Sequence, residues 1–302
     1  MVEMKQSSHA FAMPVLGCGT WMMGGDIKKN PANDDEAEVR AIRRAIAKGV
    51  THIDTAELYA EGHAEKIVGK AMKSAERSQL FIASKVWSDN LKYDELIKSA
   101  INSLKRLDTE YLDLYYIHGP SRSIPLKETV EAMDALMRYG LIKNIGVSNF
   151  SVALMEEAQS YTKNKIVANQ VHYNLVFRRP EVDGVLEYCQ KNGIMLVAWR
   201  PLQEVVTMAQ GVPLLEQLGW KYEKSLAQIA LNWLVSQPQV VTISTMRTAR
   251  HLQDNLNAVN WKMEGEDIER LRQELPAKLR EVEMNSSFVF DKVNMMMERP
   301  LL

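Results

Sequence analysis

Two side chains capable of acid–base chemistry sit five residues apart in "HIDTAELYAEG", residues 52–62. Asp54 lies near the end of a short apolar strand, and Tyr59 follows in the polar turn beyond it. A carboxylate buried without a partner is costly, so Asp54 requires either a nearby cation or a wet strand end. Two other apolar runs also end on a polar residue: "LFIAS" stops at Lys85 and "LDLYYI" at His118. An ammonium at Lys85 would be the missing partner. A tyrosine holds its proton to about pH 10, and a nearby ammonium is expected to lower that value by favouring the phenolate. Together these groups suit proton delivery to a carbonyl oxygen, with the phenol donating and the imidazole orienting the carbonyl. A positioned general acid contributes roughly 10²–10⁴-fold in rate. None of the four supplies a hydride, so a reduction needs a cofactor. Singly, each residue also has an ordinary structural role, such as a strand terminator, a snorkelling lysine or a satisfied core histidine.

The elements that must position these groups alternate along the chain. Eight β-rich runs span 15–21, 51–56, 80–86, 112–118, 142–148, 166–173, 194–200 and 240–245. Helical periodicity fills several of the gaps. "NDDEAEVRAIRRAIAKG" carries Asn33 or Asp34 as N-cap and Gly49 as stop, and "EVDGVLEYCQKNG" reads as one helix ending at Gly193. Eight strands alternating with helices predict an α/β fold, a (β/α)₈ TIM barrel formed by residues 1–302 as a single domain. Residues 4–14 are expected to form a hairpin plug. Helices at 248–257 and 265–280 and a Met-rich tail are expected to follow the barrel, the tail either closing over the site or packing as a terminus. A dinucleotide-binding open sheet is rejected, because "GCGTWM" has Met22 where the third glycine belongs. In a barrel the C-terminal strand ends share one rim. That rim would gather Thr20, Asp54, Lys85, His118, Ser148, Asn149, Gln170, Trp199 and Arg200.

Bulk properties exclude several classes. The 37 basic and 38 acidic residues leave a formal charge of -1, with no electrostatic footprint for nucleic acid or an anionic membrane. There is no secretory apolar segment and no run long enough to span a membrane. Two distant cysteines, Cys18 and Cys189, make no disulfide framework, so a reducing cytoplasmic setting is expected. The six histidines lack paired spacing, and no metal site is expected.

The motifs "LGCGTW", "HIDTAELY", "FIASKVW", "LDLYYIHGP", "IGVSNF", "NQVHYN" and "VAWRPL" occur in one order over roughly residues 13–275. In this the chain resembles the aldo-keto reductases, NADPH-dependent (β/α)₈ enzymes. The resemblance implies a catalytic tetrad of Asp54, Tyr59, Lys85 and His118, with Tyr59 as general acid. It implies that Ser148, Asn149 and Gln170 hold the nicotinamide carboxamide and that Trp199 stacks on the ring. Gly19, Thr20, Trp21, Asp54, Arg200, Pro201, Leu202, Ser244, Thr245, Met246, Arg247, His251, Asp254 and Asn255 would complete the cofactor site, NADP(H) with NAD(H) possible. Trp21, Tyr59, Trp87 and His118 would face the substrate. The chain departs from the family where the 2′-phosphate is gripped. Thr245 and His251 stand where a lysine and an arginine are usual, leaving Arg247, Arg250 or Arg200 to substitute. Arg200 is itself unusual, since a small residue is common there. The implied activity is reduction of aldehyde or ketone carbonyls to alcohols, by a monomer acting on small molecules. The alternative is a cofactor-binding regulatory subunit of the same superfamily, like the potassium-channel β subunits. A barrel hydrolase or lyase would want paired carboxylates or a metal on the rim, and neither is visible.

Overall fold

Runs buried on both faces read as near-continuous apolar sequence, the mark of parallel strands covered by helices. The computed structural model, which describes residues 2–205 and 211–275, arranges them so. An antiparallel hairpin, β1 (Met4–Gln6) and β2 (Ala12–Pro14), comes first. The barrel strands are β3 (Leu16–Gly19), β4 (His52–Asp54), β5 (Phe81–Val86), β6 (Leu114–Ile117), β7 (Ile145–Ser148), β8 (Ile166–His172), β9 (Met195–Trp199) and β10 (Val240–Ser244). Each pairs in parallel with the next, and β10 closes on β3 with Ser244 opposite Cys18. The (β/α)₈ barrel and its hairpin plug are therefore both present.

The helices are α1 (Asp35–Ala47), α2 (His63–Met72), α3 (Tyr93–Leu107), α4 (Leu126–Arg138), α5 (Val152–Ser160), α6 (Arg179–Val182), α7 (Val185–Lys191), α8 (Pro213–Tyr222), α9 (Leu226–Ser236), α10 (Ala249–Val259) and α11 (Gly265–Gln273). Helix α1 starts as its sequence predicts, with Asp34 accepting a bond from the Ala37 amide. Helix α3 buries Leu96, Ala100, Leu104 and Leu107, with Asp94 and Glu95 in its first turn and Lys105 and Arg106 in its last, matching the helix dipole.

Several local expectations need correction. The segment around Gly184 is two helices, because Gly184 adopts φ 73 and breaks the run between α6 and α7. Helices α2, α5 and α8 are additional to those expected: α2 begins after left-handed Gly62 with no side-chain cap, whereas α5 carries a start signal in Ser151, which accepts from the Leu154 amide, and α8 has Pro213 in its first turn. The first barrel strand stops at Gly19. The helix expected over 265–280 is described as far as Gln273, and the Met-rich tail lies outside the described residues.

The plug closes the barrel's lower end. Phe11 and Met13 join an interior cluster with Leu114, Tyr116, Met195 and Val197. Lys5 Nζ anchors the hairpin on the carbonyls of Val235, Gln237 and Val240 at 2.6, 2.7 and 2.8 Å. Among the described residues no helix is long and apolar enough to cross a membrane, and no cluster of His, Cys, Asp or Glu could hold a metal ion.

Tyr116 fills the barrel directly below the rim and depends on a missing side chain. A Cβ on Gly146 would lie 2.5 Å from the Tyr116 ring and 3.1 Å from Leu114. Gly146→Ala is therefore expected to lose about 1–3 kcal/mol through overpacking, measured by denaturant unfolding. A change within about 0.5 kcal/mol would show that the ring can move aside.

Candidate active site

The four acid–base residues, scattered over 65 positions of sequence between Asp54 and His118, meet at the C-terminal rim. Asp54 ends β4, Lys85 lies at the penultimate position of β5, and His118 follows β6. Lys85 Nζ donates to Asp54 Oδ1 at 2.5 Å, to the Thr55 carbonyl at 2.8 Å and to Tyr59 Oη at 3.3 Å. Lys85 is 0% exposed and Asp54 1%. The partner that the sequence required for Asp54 is thus Lys85. The other carboxylate oxygen, Oδ2, accepts from Gln170 Nε2 at 2.8 Å, and Thr20 Oγ1 donates to the Asp54 carbonyl at 2.9 Å. His118 packs edge-on to Tyr59, with ring centroids 5.8 Å apart, and its buried Nδ1 has no hydrogen-bond partner.

Tyr59 reaches this position through a strained turn. Ala60 and Glu61, directly after it, both have positive φ, 49° and 56°. A left-handed non-glycine residue costs roughly 1–2 kcal/mol. Their amides are held by the carbonyls of Asp26 and Ile27 at 2.7 and 2.9 Å, so the loop before α1 supports the turn that presents the phenol.

The electrostatics differ from expectation at one point. Burial pushes the Tyr59 pKa up, Lys85 pulls it back, and the net direction is upward rather than downward. The phenol therefore keeps its proton at neutral pH. For Lys85, burial lowers the pKa, but the Asp54 charge and the bonds to Asp54 and Tyr59 outweigh it and the net shift is upward. A raised lysine contributes stability that is fully in place below its unfolded value, about 10.4, and is lost only as pH climbs through the raised folded value. Burial, aided by the Lys85 charge, holds His118 well below its usual range, so its ring is neutral at pH 7.

These groups open onto a cavity of about 280 Å³. Its lining includes Gly19, Thr20, Trp21, Asp54, Tyr59, His118, Ser148, Asn149, Gln170, Trp199, Arg200, Pro201, Leu202, Ser244 and Thr245, all expected from the sequence. Lys85 lies beneath the floor, and Trp87 stands beside it, its ring edge-on to His118 at 5.3 Å. Gln203 and Ile243 also line the cavity and were missed. Ile243 is an apolar strand residue and Gln203 a loop residue, and neither carries a sequence signal. Asn149 Nδ2 donates to the His118 carbonyl at 3.1 Å and its Oδ1 accepts from Trp199 Nε1 at 3.3 Å. Amides at Asn149 and Gln170 beside a flat indole offer both donors and acceptors, a set that fits a nicotinamide carboxamide.

The remaining expected cofactor residues lie outside the cavity. Met246 is fully buried in the core, so any part it plays falls to its backbone. Arg247 is committed to Glu38 at 3.0 Å and to the Met22 carbonyl. Arg250 pairs loosely with Asp254 at 3.7 Å on the surface of α10. Thr248 caps that helix, its Oγ1 accepting from the His251 amide at 3.0 Å, and Asn255 Nδ2 donates to the Thr245 carbonyl at 3.2 Å, fixing the loop after β10.

Known proteins resemble this chain in sequence and fold. The model of the Aldo/keto reductase family matches residues 15–275. Methylglyoxal reductase YeaE of Escherichia coli (strain K12) is 36% identical over 279 residues, covering 91% of this chain and 95% of that protein. Glyoxal reductase of Bacillus subtilis (strain 168) is 33% identical over 261 residues, covering 86% of this chain and 88% of that one. Among solved structures, the thermostable aldo-keto reductase Tm1743, in complex with the inhibitor epalrestat, superposes with a TM-score of 0.84 at 44% identity, covering 89% of this chain and 98% of its own. An aldo-keto reductase from Klebsiella pneumoniae in complex with NADPH gives 0.80 at 32% identity, covering 94% and 99%. With the family model spanning the whole barrel and its rim, this chain belongs to the aldo/keto reductase family of oxidoreductases.

Proposed function

We propose that this protein reduces small aldehydes and ketones, 2-oxoaldehydes foremost, to alcohols with NADPH or NADH, acting as a monomer in the cytoplasm. The observation that carries the reading is a buried phenol, Tyr59, kept protonated at the edge of a cavity and contacted at 3.3 Å by a fully buried ammonium. The names of two relatives, methylglyoxal reductase and glyoxal reductase, support small dicarbonyls as the substrate class. No comparable support exists for the regulatory-subunit alternative.

Ser148, Asn149 and Gln170 would hold the carboxamide, Trp199 would lie against the ring, and the loop after β10 would meet the nucleotide's phosphates. The bound dinucleotide supplies the hydride. Tyr59 donates its proton to the carbonyl oxygen as negative charge develops there. Lys85 stabilises the phenolate left behind, and Asp54 keeps that ammonium in place. Neutral His118 offers a hydrogen bond that orients the carbonyl, while Trp21 walls the pocket and Trp87 packs edge-on against His118.

Three outcomes test this reading. Tyr59→Phe is expected to lower kcat for methylglyoxal reduction by at least about 10²-fold, while NADPH binding, followed by tryptophan fluorescence, stays within about 3-fold of wild type. Near-normal turnover would remove Tyr59 as the donor. The pH profile of kcat/KM for reduction should show no downward limb until pH passes about 10, the ordinary tyrosine value, because deprotonation is what removes the acid. A limb centred near pH 7 would contradict that. With Thr245 and His251 in place of a cationic clamp, NADPH and NADH should bind with similar affinity. Thr245→Lys combined with His251→Arg should then tighten NADPH about 10-fold or more, since a charge-assisted bond contributes about 1.5–3 kcal/mol, and leave NADH unchanged. A strong NADPH preference already present in the wild type would mean that Arg247 or Arg250 serves as the clamp.

A further inference from the structure

The parallel register of β8 and β9 sets His172 beside Trp199. Their rings stack with centroids 4.6 Å apart and planes 17° from parallel. The opposite face of His172 stacks on Phe177 at 4.0 Å and 12°. Three rings thus form one pile, and its Trp199 end borders the cavity while His172 and Phe177 lie behind it.

Asn174, fully buried, ties the pile together from both sides. Its Oδ1 accepts from the amides of Val176 and Phe177 at 3.0 and 2.8 Å, fixing the turn that carries the Phe177 ring. Its Nδ2 donates to the carbonyls of Arg200 and Gln203 at 3.0 and 3.3 Å, fixing the loop that leaves Trp199. The same nitrogen lies 3.4 Å from His172 Nε2. Burial, with a smaller contribution from Arg200, holds His172 down at about 3, so the middle ring stays uncharged at any ordinary pH. A neutral ring packs against two aromatic faces without a buried charge to satisfy, and the cation at the pile is Arg200, whose guanidinium carbon lies 5.4 Å from the Trp199 ring centroid.

We propose that the Phe177–His172–Trp199 stack, locked by Asn174, is a preformed platform that sets the plane of Trp199 for the nicotinamide ring. This rests on the reading of Trp199 as a cofactor contact. His172 and Phe177 are positioning residues: they act through Trp199. Fixing the indole beforehand removes the entropy loss of ordering it on binding, an effect of about 2- to 10-fold in affinity for one immobilised side chain.

The test compares wild type with His172→Leu, which keeps apolar bulk but removes the flat ring, and His172→Phe, which restores a ring. Each full-length protein is titrated with NADPH and with NADP⁺ by tryptophan fluorescence, and near-ultraviolet circular dichroism is recorded without cofactor. His172→Leu should lose part of the aromatic dichroism and weaken both cofactor forms by about 3- to 10-fold, with the carbonyl KM unchanged. His172→Phe should recover both signals. If His172→Leu fails to fold, Phe177→Leu at the far end of the pile takes its place with the same expectation. Wild-type affinities in the folded leucine variant would overturn the platform and leave the cofactor reading intact. Failure of wild type to bind either form would overturn both.

Discussion

The ammonium of Lys85, sealed from water at the top of the barrel, imposes most of what surrounds it. Removing an ammonium and a carboxylate from water costs several kcal/mol per ion, recovered only when every charged and polar atom is matched at good geometry. All three donors of Lys85 have acceptors, and both oxygens of Asp54 have donors. That matching needs atoms from three separate strand ends, β4, β5 and β8, and a turn, held at fixed relative positions. A closed parallel barrel provides this, because register alone sets Asp54 opposite Gly19 and Ala83, and Lys85 opposite Tyr116. The plug and the interior layer of Tyr116 and Leu114 exclude water from below.

The same burial decides how Tyr59 behaves. Two opposed influences act on the phenol: loss of water raises its pKa and the ammonium lowers it. In the protein without substrate the first is larger. The tyrosine is therefore protonated rather than a preformed phenolate, and on the proposed reading Lys85 would exert its main effect after the proton has left. This is the more useful arrangement for reduction, since stabilisation confined to the developing charge accelerates the step, whereas stabilisation already present in the ground state does not. The strained turn at Ala60 and Glu61 belongs to the same logic. It persists because the Asp26–Ile27 carbonyls over-determine it, and it orients the phenol without calling on flexible side chains.

Much of the rim was legible in the sequence because each group breaks a local rule. Lys85, His118 and Asp54 are polar endings on apolar strands, and their common height follows once eight strands are counted. What was not legible depends on tertiary facts. The direction of the Tyr59 shift depends on burial depth, which spacing does not reveal. Gln170, expected to hold the carboxamide, also donates to Asp54, a contact between strands 116 positions apart. His172 and Phe177 look like ordinary apolar-strand and loop residues until register stacks them. The split at Gly184 and the start of α2 after Gly62 turn on left-handed glycines that sequence patterns alone read ambiguously.

The site divides into a rigid half and an adjustable one. The proposed proton chemistry would sit on strand ends whose positions the barrel fixes, whereas the nucleotide's phosphate end would fall to loops and helix termini. Arg247 shows the consequence. Its guanidinium is paired with Glu38, whose other oxygen also accepts from the Gly24 amide and Asn33 Nδ2 at 2.8 and 2.9 Å. Gly24 begins the loop that supports the turn after Tyr59. A phosphate recruiting Arg247 would have to draw it from a carboxylate that braces the catalytic turn. Its net gain is the difference between two ion pairs, not the value of one. An arginine so engaged discriminates weakly between a nucleotide with a 2′-phosphate and one without, in keeping with the absence of the lysine and arginine usual at Thr245 and His251.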